Sequence, residues 1–353
     1  MNNQATDIFP RRLRQARLMR GFSLEKLAQS MTVPISKQAI NKYEKGQMKP
    51  DSRILIDLAN ALNMKIDYFF RPFTVEVDKV EFRKKSGFTE KMANAVKERV
   101  REELERYLEV EQIAGSIAHF TLPRKEVRTQ EEAKEFAGEI RQILALGNDG
   151  ISNVIEVLED NGIKVIELLE NEGFDGLSGF ANGEIPLIVV NGNFPTERKR
   201  FTALHELGHL LLDIPANVSS NKEIESLCNA FASEMLLPTV VLKSKLGNTR
   251  HDISLSELTD IQRQFGISVD DIMASLQESG VISDNRYDVF QRKKNSIADF
   301  RALVEKSRVE LEKSGRFARM VYRALADEII TSSKAAVLLN TTVDNIKTNL
   351  QLV

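Results

Sequence analysis

The chain is nearly without cysteine: Cys228 is the only one in 353 residues. One thiol cannot form an intramolecular disulfide, which excludes the disulfide-stapled secreted scaffolds and suits a reducing cytoplasm. Long hydrophobic runs are also missing, and no segment approaches the ~18 apolar residues needed to span a bilayer. Residues 1–7, MNNQATD, lack the basic start and apolar core of a secretory signal. No membrane partner is therefore expected. Histidine is scarce too. There are four, and two of them stand four residues apart.

What is present is an ordinary soluble composition, 42% hydrophobic and 28% charged. The length is more than one core usually serves, so several domains are expected. The net charge is only −2, but it is unevenly placed. Residues 1–73 carry 13 Lys/Arg against 6 Asp/Glu, a balance of +7, which leaves −9 for the remainder. A basic module in front of an acidic body points to a polyanionic partner for the front end.

Residues 8–73 read as short helices. Phe9 to Met19 places Phe9, Leu13, Ala16 and Leu18 among arginines, and Gly21-Phe22 interrupts it. Ser23 is a suitable N-cap for 24–31 and Ser36 for 37–45, while Gly46 stops the latter; a further helix runs from 53 to 62. Two short helices joined by a tight turn inside a basic domain form the helix-turn-helix pattern. The stretch LEKLAQ…ISKQAINKYEKGQMKPDSRILIDLANALNMKIDYFF resembles the XRE/Cro-like repressor family along its whole length. The resemblance implies a recognition helix at 37–45, with Ile40 and Tyr43 inward. Lys37, Gln38, Asn41 and Lys42 then face base edges, where Gln and Asn suit adenine and Lys suits guanine. Arg14, Arg17, Lys45 and Lys49 suit phosphates, which position a domain without reading sequence. Such domains work as dimers on paired half-sites, so the expected partner is double-stranded operator DNA and the expected state a homodimer.

Residues 74–83 alternate apolar and polar like a strand. Residues 88–114 carry a stripe of Met92, Val96, Val100, Leu104 and Leu108 and read as a long connector helix. Helices follow at about 130–146 and 151–161. Short strands are expected at 163–168, 177–181 and 187–190, with Asn182-Gly183 as a hairpin turn between the last two. The strand before residue 200 is the expected edge for holding an extended peptide by main-chain bonding. Further helices are expected at about 239–246, 254–265 and 268–278. Residues 284–353 read as helical, with a helix-turn-helix-like element near 332–346 whose sparse positive charge speaks for structure or partner recognition. His119 and His251 read as surface or loop residues.

Within 201–212, FTALHELGHLLL, the pattern H-E-x-x-H spans His205, Glu206 and His209. Helical spacing puts the two histidines on one face, one turn apart, and places Glu206 beside the position an open metal site leaves for water. A third ligand should come from a later element. The next helix, 221–238, offers Glu223, Glu225 and Glu234, and Glu225 lies on the face flanked by small and apolar residues. FTALHELGHLLL followed by ESLCNAFASEMLLP resembles the ImmA/IrrE-type zinc metallopeptidase domain. That resemblance implies Zn²⁺ held by His205, His209 and Glu225, Glu206 as general base, and peptide hydrolysis of a regulatory protein. Cys228 stands where that family usually carries alanine and reads as a small packed residue.

The expected architecture is mainly α (α+β). A helix-turn-helix domain of five helices spans 1–73, a strand and connector helix 74–125, and a zincin-like domain with a small sheet 126–282. A C-terminal helical region spans 283–353. The function so implied is a cytoplasmic DNA-binding regulator with a zinc metallopeptidase domain that cleaves a repressor. The alternative is an antitoxin or autorepressor whose zincin-like body binds a toxin, or senses, without hydrolysis.

Overall fold

A computed structural model describes residues 8–76, 89–170, 173–215 and 220–351. The chain falls into two compact units: Met1–Val110 with Ala181–Gly183, and Glu111–Phe180 with Glu184–Val353. The strand expected at 74–83 lies largely outside the described residues.

The first unit begins with four α-helices, α1 (Ile8–Met19), α2 (Leu24–Ser30), α3 (Lys37–Glu44) and α4 (Ser52–Leu62), then a 3₁₀ helix, Ile66–Phe70. Each start is chemically specified. Ser23, Ser36 and Asp51 accept hydrogen bonds from the backbone N–H groups of Lys26, Ala39 and Ile54, satisfying donors that a helix start leaves open. Leu13, Ala16, Leu27, Ile40, Tyr43, Leu58, Leu62 and Phe69 converge in one core. The α2–α3 turn is pinned from α4: the buried carboxylate of Asp57 accepts from Val33 N–H and Thr32 Oγ1, both at 2.7 Å.

The long helix α5 (Glu90–Ala114) follows. Its part in this unit faces Arg12, which has no solvent exposure. The Arg12 guanidinium pairs with Glu105 at 2.8 Å, donates to the carbonyls of Arg71 and Pro72, and lies 3.9 Å over the Phe73 ring. One residue of the basic front end is thus a structural ion, its charge matched and its donors filled as burial demands.

The second unit is α+β. It contains β1 (Lys125–Glu126), α6 (Gln130–Ile143), α7 (Val154–Asp160), β2 (Lys164–Leu168), β3 (Gly176–Ala181) and β4 (Ile185–Asn191). Next come α8 (Thr196–Leu211), β5 (Leu212–Asp213) and α9 (Asn221–Leu236). The strands run in the order β2-β4-β3, with β2 parallel to β4 in the register Lys164 to Leu187 through Leu168 to Asn191. Asn182 and Gly183 both have positive φ, 50° and 80°, the conformation a tight two-residue hairpin requires. The strand preceding α8 is therefore central, with its main chain engaged on both sides. This corrects the expectation that it is the peptide-holding edge: among the described residues the edge strands of this sheet are β2 and β3.

Helix α9 packs against α8 on one side and α6 on the other, where Phe136 and Phe231 meet with ring centroids 6.1 Å apart. One large core joins these helices to the sheet. Beyond it lie α10 (Thr239–Leu246), α11 (Leu255–Phe265), α12 (Val269–Glu278), α13 (Asp284–Ser296) and α14 (Ala298–Glu305). The chain ends with α15 (Arg316–Ala326), α16 (Ser332–Leu338) and α17 (Val343–Gln351).

Candidate metal centre and nucleic-acid interface

The metal-binding residue types converge where α8 crosses α9. His205 and Glu206 are buried and His209 is half-buried, so this face of α8 is turned inward. The His205 and His209 rings are 5.1 Å apart. Glu225, on the second turn of α9, spans both. Its Oε2 lies 3.8 Å from His205 Nε2 and its Oε1 3.8 Å from His209 Nε2. Two imidazoles and a carboxylate grouped in this way form a ligand set of the type that holds zinc, where three protein ligands leave a fourth position for water.

The other two acids of α9 are used locally. Glu223 accepts from the N–H and hydroxyl of Ser220 as the reciprocal half of a capping box, which lowers its carboxyl pKa. Glu234 accepts from Thr239 N–H and Oγ1 at the start of α10. Sequence spacing left all three open, and packing brings only Glu225 to the histidines.

Two contacts at this centre escape sequence reading. Ser178 on β3 donates from Oγ to Glu206 Oε2 at 2.7 Å, in a buried position. The strand comes this close because residue 176 is glycine: a Cβ there would stand 2.6 Å from Thr202 Cγ2 and 3.2 Å from Glu206 Oε1. A polar residue inside the small, apolar run GLSGFA was the only available signal. The second is Cys228, fully buried one turn after Glu225. His205, His209 and Cys228 each bring one ligand atom within 4.8 Å of the others. Gly208, between the histidines, admits the thiol, since a Cβ there would lie 3.3 to 3.4 Å from Cys228 atoms. His251 and His119 are exposed and outside this group.

In the first unit, Lys37, Gln38, Lys42, Lys45 and Lys49 are exposed and Asn41 is half-buried, all on or just after α3. Lys37 shares an exposed ion pair with Glu25 at 3.0 Å, a contact weak enough to exchange for phosphate or base. Arg14 is exposed. Arg17 is not available in the same way. Its guanidinium holds Glu44 through two bonds, 2.6 and 2.8 Å, and donates to the Phe22 carbonyl. Both partners are largely buried, so Arg17 anchors α3 to α1 and drops out of the phosphate-contact set. Burial alone would raise the Asp57 carboxyl, but hydrogen bonds from Val33 and Thr32 hold it below its ordinary value, keeping the α2–α3 turn anionically clamped.

These two arrangements define a DNA-binding module and a protease-like module in one chain. A helix-turn-helix family model matches residues 13–69, and the peptidase M78 model, an IrrE N-terminal-like domain, matches residues 158–272. The chain is thus a fusion of an XRE-type helix-turn-helix domain and an IrrE N-terminal-like domain. No curated protein matches it significantly. Among the described residues, no helix is long and apolar enough to cross a membrane.

Proposed function

We propose that the chain is a cytoplasmic operator-binding regulator whose second unit is a zinc-dependent peptidase acting on a regulatory protein. The observation that supports it most is Glu225 reaching His205 Nε2 and His209 Nε2 at 3.8 Å each, beside a buried Glu206 held by Ser178. Zn²⁺ bound by His205, His209 and Glu225 would supply Lewis acidity toward water and a peptide carbonyl. Glu206 is the general base. Its buried carboxylate accepts a hydrogen bond from the Ser178 hydroxyl at 2.7 Å, which orients it beside the histidine pair as the proton acceptor. β3, an edge strand of this sheet among the described residues, is the docking strand for an extended peptide, since it runs next to the base that Ser178 holds. At the other end, Lys37, Gln38, Asn41 and Lys42 read base edges, with Arg14, Lys45 and Lys49 on phosphates, and a homodimer presents two such helices to paired half-sites.

Glu206→Gln tests the reading. It should retain one equivalent of zinc and full operator affinity while cleavage of the regulated protein falls by at least ~100-fold, the scale of a lost general base. The second reading is an antitoxin or sensor that binds without hydrolysis, and the Cys228 sulfur lying within 4.8 Å of the histidine ligand atoms favours it. If Glu206→Gln represses, derepresses and neutralises as the parent does, hydrolysis is not the function and the second reading stands.

A further inference from the structure

Cys228 is the one cysteine in the chain, is fully buried, and has its ligand atom grouped with those of His205 and His209. Simple packing accounts for a small residue there but does not require sulfur. Alanine would fill the same contact with Gly208. Two further features make the position a donor position. Glu225 and Cys228 stand three residues apart on α9 and each meets the histidine pair in its own right, the carboxylate 3.8 Å from both Nε2 atoms and the sulfur within 4.8 Å of their ligand atoms. Gly208 lets Cys228 come close to α8, since a Cβ there would lie 3.3 to 3.4 Å from its Cα, Cβ and Sγ.

We propose that the Cys228 thiolate is a fourth protein ligand of the metal held by His205, His209 and Glu225, so that this chain has a closed His₂-Glu-Cys centre. The proposal rests on the metal centre argued above and changes its character. Three protein ligands leave an open position for water, whereas four protein ligands define the closed, structural class of zinc site. A thiolate also shifts preference from hard cations such as Mg²⁺ and Mn²⁺ toward Zn²⁺, Co²⁺ and Cd²⁺. With Cys228 as a fourth donor, His205, His209, Glu225 and Cys228 would together hold the ion without a position for water.

The test uses the metal-stripped full-length chain titrated with Co²⁺. Thiolate ligation gives an intense near-ultraviolet sulfur-to-cobalt charge-transfer band that rises with metal and saturates at one equivalent. Cys228→Ala and Cys228→Ser should each still bind one equivalent, while the band disappears and Co²⁺ affinity falls by at least ~10-fold, the lower end of the loss on removing a supporting group. Two substitutions of different polarity guard against one that merely misfolds, and far-ultraviolet circular dichroism should match the parent for both. A parent that binds one equivalent of Co²⁺ without the band overturns the Cys228 assignment while leaving the three-ligand centre in place. A His205→Ala variant that binds as much Co²⁺ as the parent overturns the metal centre itself, and the Cys228 assignment with it.

Discussion

Arginines 14 and 17 lie on the same helix, three residues apart, but Arg14 is exposed while Arg17 is largely buried against Glu44. The Arg17 side chain is 12% exposed and its partner Glu44 6%, with the ion-pair contact at 2.6 Å. Arg17→Ala leaves the Glu44 carboxylate buried without its counter-charge. Removing one partner of a buried pair costs about 3–5 kcal/mol, and the residual exposure puts this case near 3. For a unit of this size, each kcal/mol moves the midpoint by roughly 4–8 °C, so the first thermal transition should fall by at least about 12 °C. Arg17→Ala with Glu44→Ala should recover part of that loss, because the stranded charge goes too. Arg14→Ala should change stability by no more than ~0.5 kcal/mol. It should instead flatten the slope of log affinity against log salt by roughly one in an operator titration. Differential scanning calorimetry and fluorescence anisotropy measure the two effects separately. An Arg17→Ala protein as stable as the parent but with a reduced salt slope would refute the structural assignment, and a destabilised Arg14→Ala protein would refute its counterpart.

Three further outcomes follow from particular contacts. Gly176→Ala drives a Cβ to 2.6 Å from Thr202 Cγ2 and 3.0 Å from the Val189 carbonyl, so it should destabilise the second unit by about 1–3 kcal/mol in urea unfolding, and an unchanged midpoint would show that β3 does not press on α8. Burial raises the Asp271 carboxyl to about 6, against the pull of the Ser268 hydroxyl and Lys294. With the folded pKa above the unfolded one, stability is full below about pH 4 and is lost as pH rises through 6. Asp271→Asn should therefore stabilise the chain by about 1 kcal/mol at pH 7.5, discounted because the side chain keeps some solvent contact, and by nothing near pH 4; an equal gain at both pH values would rule burial out as the cause. Stripping metal with a chelator should lower the midpoint of the second unit and leave that of the first unchanged, since only the state that binds the ion is stabilised; a coincident fall in both would locate the ion elsewhere.

Local chemistry was legible in the sequence. Ser23 and Ser36 head helices because a hydroxyl satisfies open N–H groups, and Asn182-Gly183 turns a hairpin because both residues tolerate positive φ. The H-E-x-x-H spacing alone puts two imidazoles one turn apart. Each of these depends on residues within about five positions of one another, and the backbone propagates such information without knowledge of the fold. Pairing between distant segments is different. The strand before α8 proves to be central because of where β2 and β3 lie, and alternation along one strand does not encode its neighbours.

By itself the sequence determined that this chain has a basic helix-turn-helix module, a histidine pair on one helix face and a small sheet ahead of it. Only the tertiary structure decided which charges face solvent and which are buried. Arg12 and Arg17 look like Arg14 in the chain, yet the first two neutralise Glu105 and Glu44 inside the first unit. Glu223, Glu225 and Glu234 are equal as letters, yet two close local caps and one reaches the histidines. Ser178 and Cys228 join the centre from 28 residues before Glu206 and 22 after it because Gly176 and Gly208 let backbones approach. The physical reason is the same in every case. A side chain's role is set by the dielectric and the partners around it, and those are supplied by residues far along the chain.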